Sequence, residues 1–584
     1  MDEKWFLQTK KADFDEISQK FNISTITARL IRNRDIVGDE NIEKYLRGNI
    51  DNLSSPWLFK DMDKAVDILK IKISDESKIR IICDYDVDGI CSGYILYRCL
   101  KKLRAIVDII VPHRIEDGYG INERLIKKAY DDGIDTILTC DNGIAAISQI
   151  EYAKSLGMTV IVTDHHEVVF EEADGEKKYV LPRADAIINQ KQKDCDYPFK
   201  ELCGAMVAYQ LMTALFESMD IGKNYVRSLL PYAAMATVCD VMELQGENRI
   251  VVKAGIEALK TNNDIGINAL IDICKLNKRN IEAYHFGFVL GPCLNASGRL
   301  DTARKAMELL DCQDKEAAFT LAEKLKRLND ERKELTETGT KEAARIAQQS
   351  DEKVLVIYLK DCHESIAGII AGRVREQFHK PVLVLTDAMN GVKGSGRSIE
   401  NYDMYEEFSK VKELFTKFGG HKMAAGVSLQ KENIEILRKK LNENCNLTEE
   451  DLYLKVWIDM QLPLECVTMN MIEELKVIGP YGKGNEKPVF AEKKLKANKI
   501  QILGKNGNVL RLTIENSNCY RMTAMIFGRA MDFMAFVKHK FGQSEIDKAL
   551  KGEKNNIEIM ATYYPKINEY NGNSQIQIII DRFC

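Results

Sequence analysis

Short β-branched runs punctuate the first half of the chain, and three of them end in acid or imidazole. Ile79-Arg80-Ile81-Ile82 leads into Asp84-Tyr85-Asp86-Val87-Asp88-Gly89, Thr136-Ile137-Leu138-Thr139-Cys140 into Asp141-Asn142-Gly143, and Thr159-Val160-Ile161-Val162-Thr163 into Asp164-His165-His166. Runs of this length and composition read as buried strands. Helix candidates fall at 90–103, 121–131, 144–156, 205–219 and 225–237, with Pro231 offering a start inside the last. Alternating strands and helices predict a parallel α/β sheet from 78 to about 250. In an open sheet of that kind ligands collect outside the carboxyl ends of the strands, so the three polar terminations should meet. Their carboxylates repel one another unless cations sit between them.

Elsewhere the texture changes. Leu53-Ser54-Ser55-Pro56-Trp57 is a turn-like break, and Asp61-Met62-Asp63 opens a helix through Ile68 and Leu69. Residues 303–349, rich in Ala, Glu, Lys and Leu, read as one long solvated connecting helix that Gly339 weakens midway. A second α/β unit starts at Val354-Leu355-Val356-Ile357-Tyr358, continues through a helix at 365–378 and the strand Val382-Leu383-Val384-Leu385, and runs to about 448. From 452, alternating runs such as Leu452-Tyr453-Leu454-Lys455-Val456-Trp457-Ile458 and the turns Asn506-Gly507 and Asn571-Gly572 predict a small β-domain, a barrel. The fold class is therefore α/β: two α/β units joined by a long helix, plus a C-terminal β-domain. The expected boundaries are 1–76 for a leader, 77–302 for the first unit, 303–350 for the helix, 351–450 for the second unit and 451–584 for the β-domain.

Composition narrows the function classes. A chain of 584 residues exceeds a single core, and 45% hydrophobic with 29% charged residues describes a soluble globular protein. With a net charge of −5, a nucleic-acid partner must be met by a local basic groove. The fifteen cysteines include no Cys-x-x-Cys pair, which argues against a disulfide framework and a zinc ribbon. Met1 to Lys11 lacks the apolar stretch of a signal peptide, and no run approaches the ~20 apolar residues of a membrane span. A cytoplasmic protein without membrane association is expected.

A fourth apolar segment, Ala236-Thr237-Val238-Cys239, again delivers an aspartate, Asp240. Asp86, Asp88, Asp141, His165 and Asp240 are hard oxygen ligands with one imidazole, a set that suits manganese or magnesium better than zinc. Two cations roughly 3.5–4 Å apart would balance the charge and activate water for in-line attack on phosphorus. Taken singly, Asp-x-Asp-Gly and Asp141-Asn142-Gly143 are turns, and a His-His pair is surface or core. A calcium loop needs glutamate six residues after its glycine, where Ile95 stands. The ordered set carries the reading.

The four segments resemble the motifs of the DHH phosphoesterases, a superfamily named for the triplet that Asp164-His165-His166 matches. Within it the chain is similar to the RecJ family of single-strand-specific 5′ exonucleases. That similarity extends through Phe199-Lys200-Glu201-Leu202-Cys203-Gly204, Leu294-Asn295-Ala296-Ser297-Gly298-Arg299-Leu300, Gly419-Gly420-His421 with Ala424-Ala425-Gly426, and Gly479-Pro480-Tyr481-Gly482-Lys483-Gly484-Asn485-Glu486. It spans most of residues 50 to 490. Cys239 departs from the small aliphatic residue of many relatives, and Glu486 from their proline.

The resemblance implies metal roles for Asp86, Asp88, Asp141, His165 and Asp240. It implies a catalytic set of His166 at the scissile phosphate with Asp141 and Asp164, and Asp164 and Asp84 either support the ligands from behind or only shape turns. The two α/β units become the DHH domain and the DHH-associated domain. The latter would hold the strand, with Asn295, Arg299, Arg373, Arg397, Ser398 and His421 as contacts; glycines around Arg397 let backbone N–H groups approach an anion. Two divalent cations are implied, manganese ahead of magnesium. The implied reaction is 5′→3′ hydrolysis of single-stranded DNA to mononucleotides in repair and recombination. A monomer is implied, with single-strand-binding protein and a helicase as partners. The β-domain resembles an OB fold, whose Tyr563, Tyr564 and Tyr570 are base platforms or core aromatics. Alternatives are a short-oligonucleotide or cyclic-dinucleotide phosphodiesterase, which the β-domain disfavours, and a non-catalytic replication scaffold, which the full ligand set disfavours.

Overall fold

The computed structural model describes residues 3–584 except 115, 119, 174, 175, 390, 505, 571 and 572. The chain divides into two units. The larger consists mainly of Leu53–Met242 and Ile250–Leu454, and the smaller of Lys4–Asn52, Glu243–Arg249 and Lys455–Cys584.

In the larger unit five parallel strands lie in the order Val107–Ile110, Ile79–Cys83, Thr136–Cys140, Thr159–Thr163, Ala186–Ile188. The central strands are buried on both faces, which is why they are continuous β-branched runs without polar alternation. Cys83 is level with Cys140, and Cys140 with Thr163. The next residues, Asp84, Asp141 and Asp164, therefore leave the sheet side by side. The helix Val87–Lys102 is buried over most of its length and packs on Gly204–Ser218 and Leu230–Cys239. The helix expected at 225–237 is two, Asn224–Ser228 and Leu230–Cys239, with Pro231 in the first turn of the second.

The long helix also differs from expectation. Arg304–Asp311 ends first; Lys315–Gln348 then starts at Asp314, whose side chain accepts a hydrogen bond from Ala317 N at 2.8 Å. It is no merely solvated spacer. Ala318, Ala322, Leu325, Leu328, Ala343 and Ala347 are buried where it packs on Ile265–Ile273, Gly291–Leu300 and Ala367–Phe378. A β-carbon at position 339 would lie 2.5 Å from Ile370 Cδ1, so Gly339 permits a close helix crossing. The second sheet runs Phe415–His421, Ala424–Leu429, Gly391–Arg397, Val382–Ala388, Leu355–Tyr358, with only the last pair parallel.

In the smaller unit, Phe490–Leu503, Val509–Glu515 and Arg521–Phe527 form an antiparallel meander. Asn573–Phe583 runs parallel to Arg521–Phe527 and antiparallel to Glu558–Tyr570, which closes back onto Phe490–Leu503. This closed five-stranded barrel has OB topology. The Asn506-Gly507 turn lies in a hairpin with Leu503 opposite Val509, while Asn571-Gly572 is outside the described residues. Phe21, Leu30, Ile31 and Ile42 share one core with Leu475, Phe490, Leu512 and Phe533, so residues 4–52 are part of this unit and not a free leader. Arg249 is buried in it, donating to Tyr45 O, Val477 O and Ile478 O at 3.0, 2.8 and 2.9 Å and lying 3.9 Å over the Tyr45 ring. Tyr563 is core, its hydroxyl donating to Leu462 O, and so is not a base platform. Tyr564 packs edge-on against Tyr481, and the Tyr570 side chain is outside the described ones.

Candidate metal and phosphate site

Local structure aims each polar side chain. Asp86 caps the helix Val87–Lys102, its Oδ1 accepting from Gly89 N at 3.1 Å. Asp88, the second residue of that helix, faces the start of Gly204–Ser218: Oδ2 accepts from Gly204 N at 2.6 Å and Oδ1 from Ala205 N at 2.7 Å. A carboxylate there is favoured by the helix dipole. Asp141 sits at φ 60°, and a β-carbon on Gly204 would lie 2.8 Å from its Oδ1, so only glycine fits. Asn142 pins this loop by donating to Ile82 O at 3.1 Å and Cys140 O at 2.8 Å. Asp240 follows the last turn of Leu230–Cys239.

These elements bring Asp84, Asp86, Asp88, Asp141, His165 and Asp240 together. His165 Nε2 lies 3.1 Å from Asp141 Oδ1, 3.6 Å from Asp88 Oδ2 and 3.7 Å from Asp240 Oδ2. Asp84, Asp86 and Asp141 present ligand atoms within 4.8 Å of one another, and so do Asp88, His165 and Asp240. Burial and then the Asp86 charge push Asp84 up to about 8. Burial with Asp88 and Asp86 pushes Asp240 up to about 8. Burial and neighbouring carboxylates also raise Asp86 and Asp141, while burial lowers His165. Asp84 Oδ1 and His165 Nδ1 are buried without a hydrogen-bond partner. Crowded carboxylates and bare donor atoms are the deficit that hard divalent cations relieve, so the residues present fit such ions.

Asp164 differs from the others because the chain satisfies it. Its Oδ1 accepts from His165 N at 2.8 Å and lies 2.7 Å from His166 Nδ1, and its Oδ2 accepts from Ile144 N at 2.9 Å. Burial acts to raise it, but these bonds and the His166 charge hold it below the usual carboxylate range. Burial likewise works against a charged His166, yet Asp164 raises that ring to about 9.

The helix Gly291–Leu300 connects this cluster to a second one. Asn295 Oδ1 accepts from Val87 N at 3.0 Å. Arg299, one turn on, donates from Nη1 to Ser365 O at 2.6 Å, and Ser365 Oγ donates to Arg299 O at 3.1 Å, just ahead of the helix Ala367–Phe378. Ser395 and Arg397 lie over that helix's first turn: a β-carbon on Gly368 would meet Ser395 Oγ at 2.7 Å and Arg397 Nη2 at 2.9 Å. Burial, then Arg114, Arg332 and Arg397, lower Arg299 to about 10, a sign of crowded cations. Arg373 is exposed on the helix Ala367–Phe378, where burial and then its charge lower Arg332, and His421 lies at an exposed strand end. Ser398 is fully buried, its hydroxyl donating to Tyr402 O at 2.6 Å; it shapes the turn and cannot reach a strand. Arg114, over the Tyr85 ring at 4.7 Å, and Arg332, held by Asn329 Oδ1, join the cluster without a motif to announce them. No described helix is long and apolar enough to cross a membrane.

Known proteins share this arrangement. Residues 78–237 match the family model described as DHH family, N-terminal domain, residues 351–447 the DHHA1 domain and residues 458–582 the RecJ OB domain. The single-stranded-DNA-specific exonuclease RecJ of Escherichia coli is 31% identical over 98% of both chains. That of Bacillus subtilis is 34% identical over 88% of this chain, which spans only 64% of that protein. The crystal structure of RecJ with Mn2+ from Thermus thermophilus superposes with a TM-score of 0.81 at 23% identity, covering 100% of this chain and 79% of that one.

Proposed function

The chain belongs to the RecJ family of single-stranded-DNA-specific exonucleases, and from that premise we propose that it hydrolyses single-stranded DNA from the 5′ end to mononucleotides. Asp86, Asp88, Asp141, His165 and Asp240 would hold two divalent cations, with Asp84 offering a further bare oxygen to the same pair. Manganese and magnesium are the ions in the Thermus structures. Bound there, such ions supply the Lewis acidity that polarises a phosphoryl oxygen and makes water nucleophilic at neutral pH.

The observation that carries the reading is the helix Gly291–Leu300. It supports the metal loop through Asn295 and the basic cluster through Arg299, four residues or about 6 Å of helix rise away. A terminal phosphate at Arg299, Arg397 and the N-terminus of Ala367–Phe378 would leave the next phosphodiester at the carboxylates, so one nucleotide is released per cut. His166, kept cationic by Asp164, donates a hydrogen bond to the scissile phosphate as its charge grows. Arg373 and His421 would steady the strand. The reading extends to a cytoplasmic monomer that receives strands from a helicase and a single-strand-binding protein, which light scattering and co-purification test.

The test is digestion of end-labelled strands with manganese. A 5′ label should appear at once as mononucleotide, and a blunt duplex should resist. Release of a 3′ label before any shortening from the 5′ end would overturn the polarity.

A further inference from the structure

Tyr284 and Phe288 are exposed by 57% and 65%, and no other described aromatic side chain is more exposed. Their rings stack on each other, centroids 4.9 Å apart and planes 18° from parallel. They sit four residues apart on a helical run that widens to a π turn over Phe286–Leu290, a geometry frequent at functional sites, immediately before Gly291–Leu300.

The turn is anchored beside the metal cluster. Phe286 and Leu290 are buried. Cys239 Sγ donates to Phe286 O at 3.4 Å, and a β-carbon on Gly287 would lie 3.2 Å from Val238 Cγ1, so the backbone carrying Phe288 rests on the two residues that precede Asp240. The adjoining Val241 is 61% exposed. At its other end the turn continues into the helix whose Asn295 supports the metal loop. Exposed Lys275 and Arg279 precede it, supplying charge for a phosphate backbone. Core formation does not explain two stacked rings left in water, whereas unpaired bases offer free faces that such rings bind.

We propose that Tyr284 and Phe288 form a stacking platform for the unpaired bases of the strand beside the scissile phosphate. The proposal rests on the single-strand reading above and adds to it the surface that recognises bases as opposed to phosphates. A duplex, whose bases already stack, cannot use it.

The experiment measures binding of the full chain under chelation, so that no turnover intrudes. A 5′-phosphorylated oligo-dT is compared with an equally long strand of abasic sites, and circular dichroism checks folding. The Tyr284→Ala, Phe288→Ala double variant should bind oligo-dT roughly 10-fold more weakly and the abasic strand unchanged. Phe288→Trp should retain the preference, and oligo-dT should quench the emission that this residue adds to that of Trp5, Trp57 and Trp457. Equal losses on both strands, no loss on either, or no quenching would overturn the platform. A parent that binds oligo-dT with base preference yet never hydrolyses it would instead overturn the exonuclease reading and leave the platform standing.

Discussion

Asp141 and Arg249 are both charged side chains buried at about 2% exposure, but their surroundings are opposite. Around Arg249 the chain supplies three carbonyl oxygens and a ring face, so the guanidinium is neutralised by the fold itself. Around Asp141 the chain supplies more carboxylates, each raising the others. Burying a charge without compensation costs several kcal/mol, so the first arrangement stabilises the smaller unit and the second must be compensated from outside the chain. The contrast separates architecture from a ligand site on electrostatic grounds alone. Asp164 shows the same rule within one cluster: Ile144 N, His165 N and the His166 ring satisfy its oxygens.

The sharpest way to break the comparison is to remove charge at each place. Asp141→Asn and Asp240→Asn should lower kcat at least about a hundredfold, the scale of losing one electrostatic stabiliser, without lowering the melting temperature of chelated protein. Near-normal turnover in end-labelled digestion would refute either assignment. Arg249→Met should do the reverse. It takes the guanidinium from Tyr45 O and Val477 O, while Ile478 O keeps the Tyr45 hydroxyl and Asn485 Nδ2, and it should cost on the order of 3 kcal/mol in urea unfolding, while manganese affinity by calorimetry stays unchanged.

A milder probe is pH. Asp84 and Asp240 are raised to about 8 in the cation-free fold, so the folded state binds more protons than the unfolded chain between about pH 4 and 8. The chelated protein should therefore lose melting temperature as pH rises through that window. Manganese at a hundred times its dissociation constant should restore about 2.7 kcal/mol and flatten the slope. A flat profile under chelation would mean that the carboxylates are compensated by the chain after all. The smallest effects are expected in the second unit. Arg373→Ala should reduce the salt slope of strand binding by about one, whereas Ser398→Ala should leave that slope unchanged and cost roughly 1 kcal/mol of stability. Fluorescence anisotropy across a salt series distinguishes them.

The sheet and its polar strand ends were legible because a strand buried on both faces admits almost nothing but β-branched residues, and an aspartate at its end stands out. Register then made Asp84, Asp141 and Asp164 neighbours. The barrel's alternation and the Asn506-Gly507 turn were legible for the same local reasons. The break at Cys312-Gln313 was hidden because Asp314 is one acid among many, and its capping role is visible only once the turn exists. The buried face of Lys315–Gln348 was hidden because alanines serve both solvated and packed surfaces. Ser398 was misjudged and Tyr563 left open because a hydroxyl beside an arginine, or a tyrosine on a barrel strand, says nothing of which way it turns. Arg114 and Arg332 had no signal, since only folding brings them to Arg299. The joining of residues 4–52 to the barrel is likewise a long-range fact that no local pattern encodes.

The spread of the carboxylates along the chain has a consequence in time. Asp84 and Asp240 lie far apart in the sequence of the larger unit, and a ribosome adding about 5–20 residues per second needs roughly 8–30 s to pass from one to the other. Arg397 arrives later still, at a similar interval after Asp240. The carboxylate set is thus complete before the cluster of Arg299 and Arg397 that would receive a terminal phosphate. A chain released between residues 240 and 397 would carry every carboxylate with only part of its phosphate cluster.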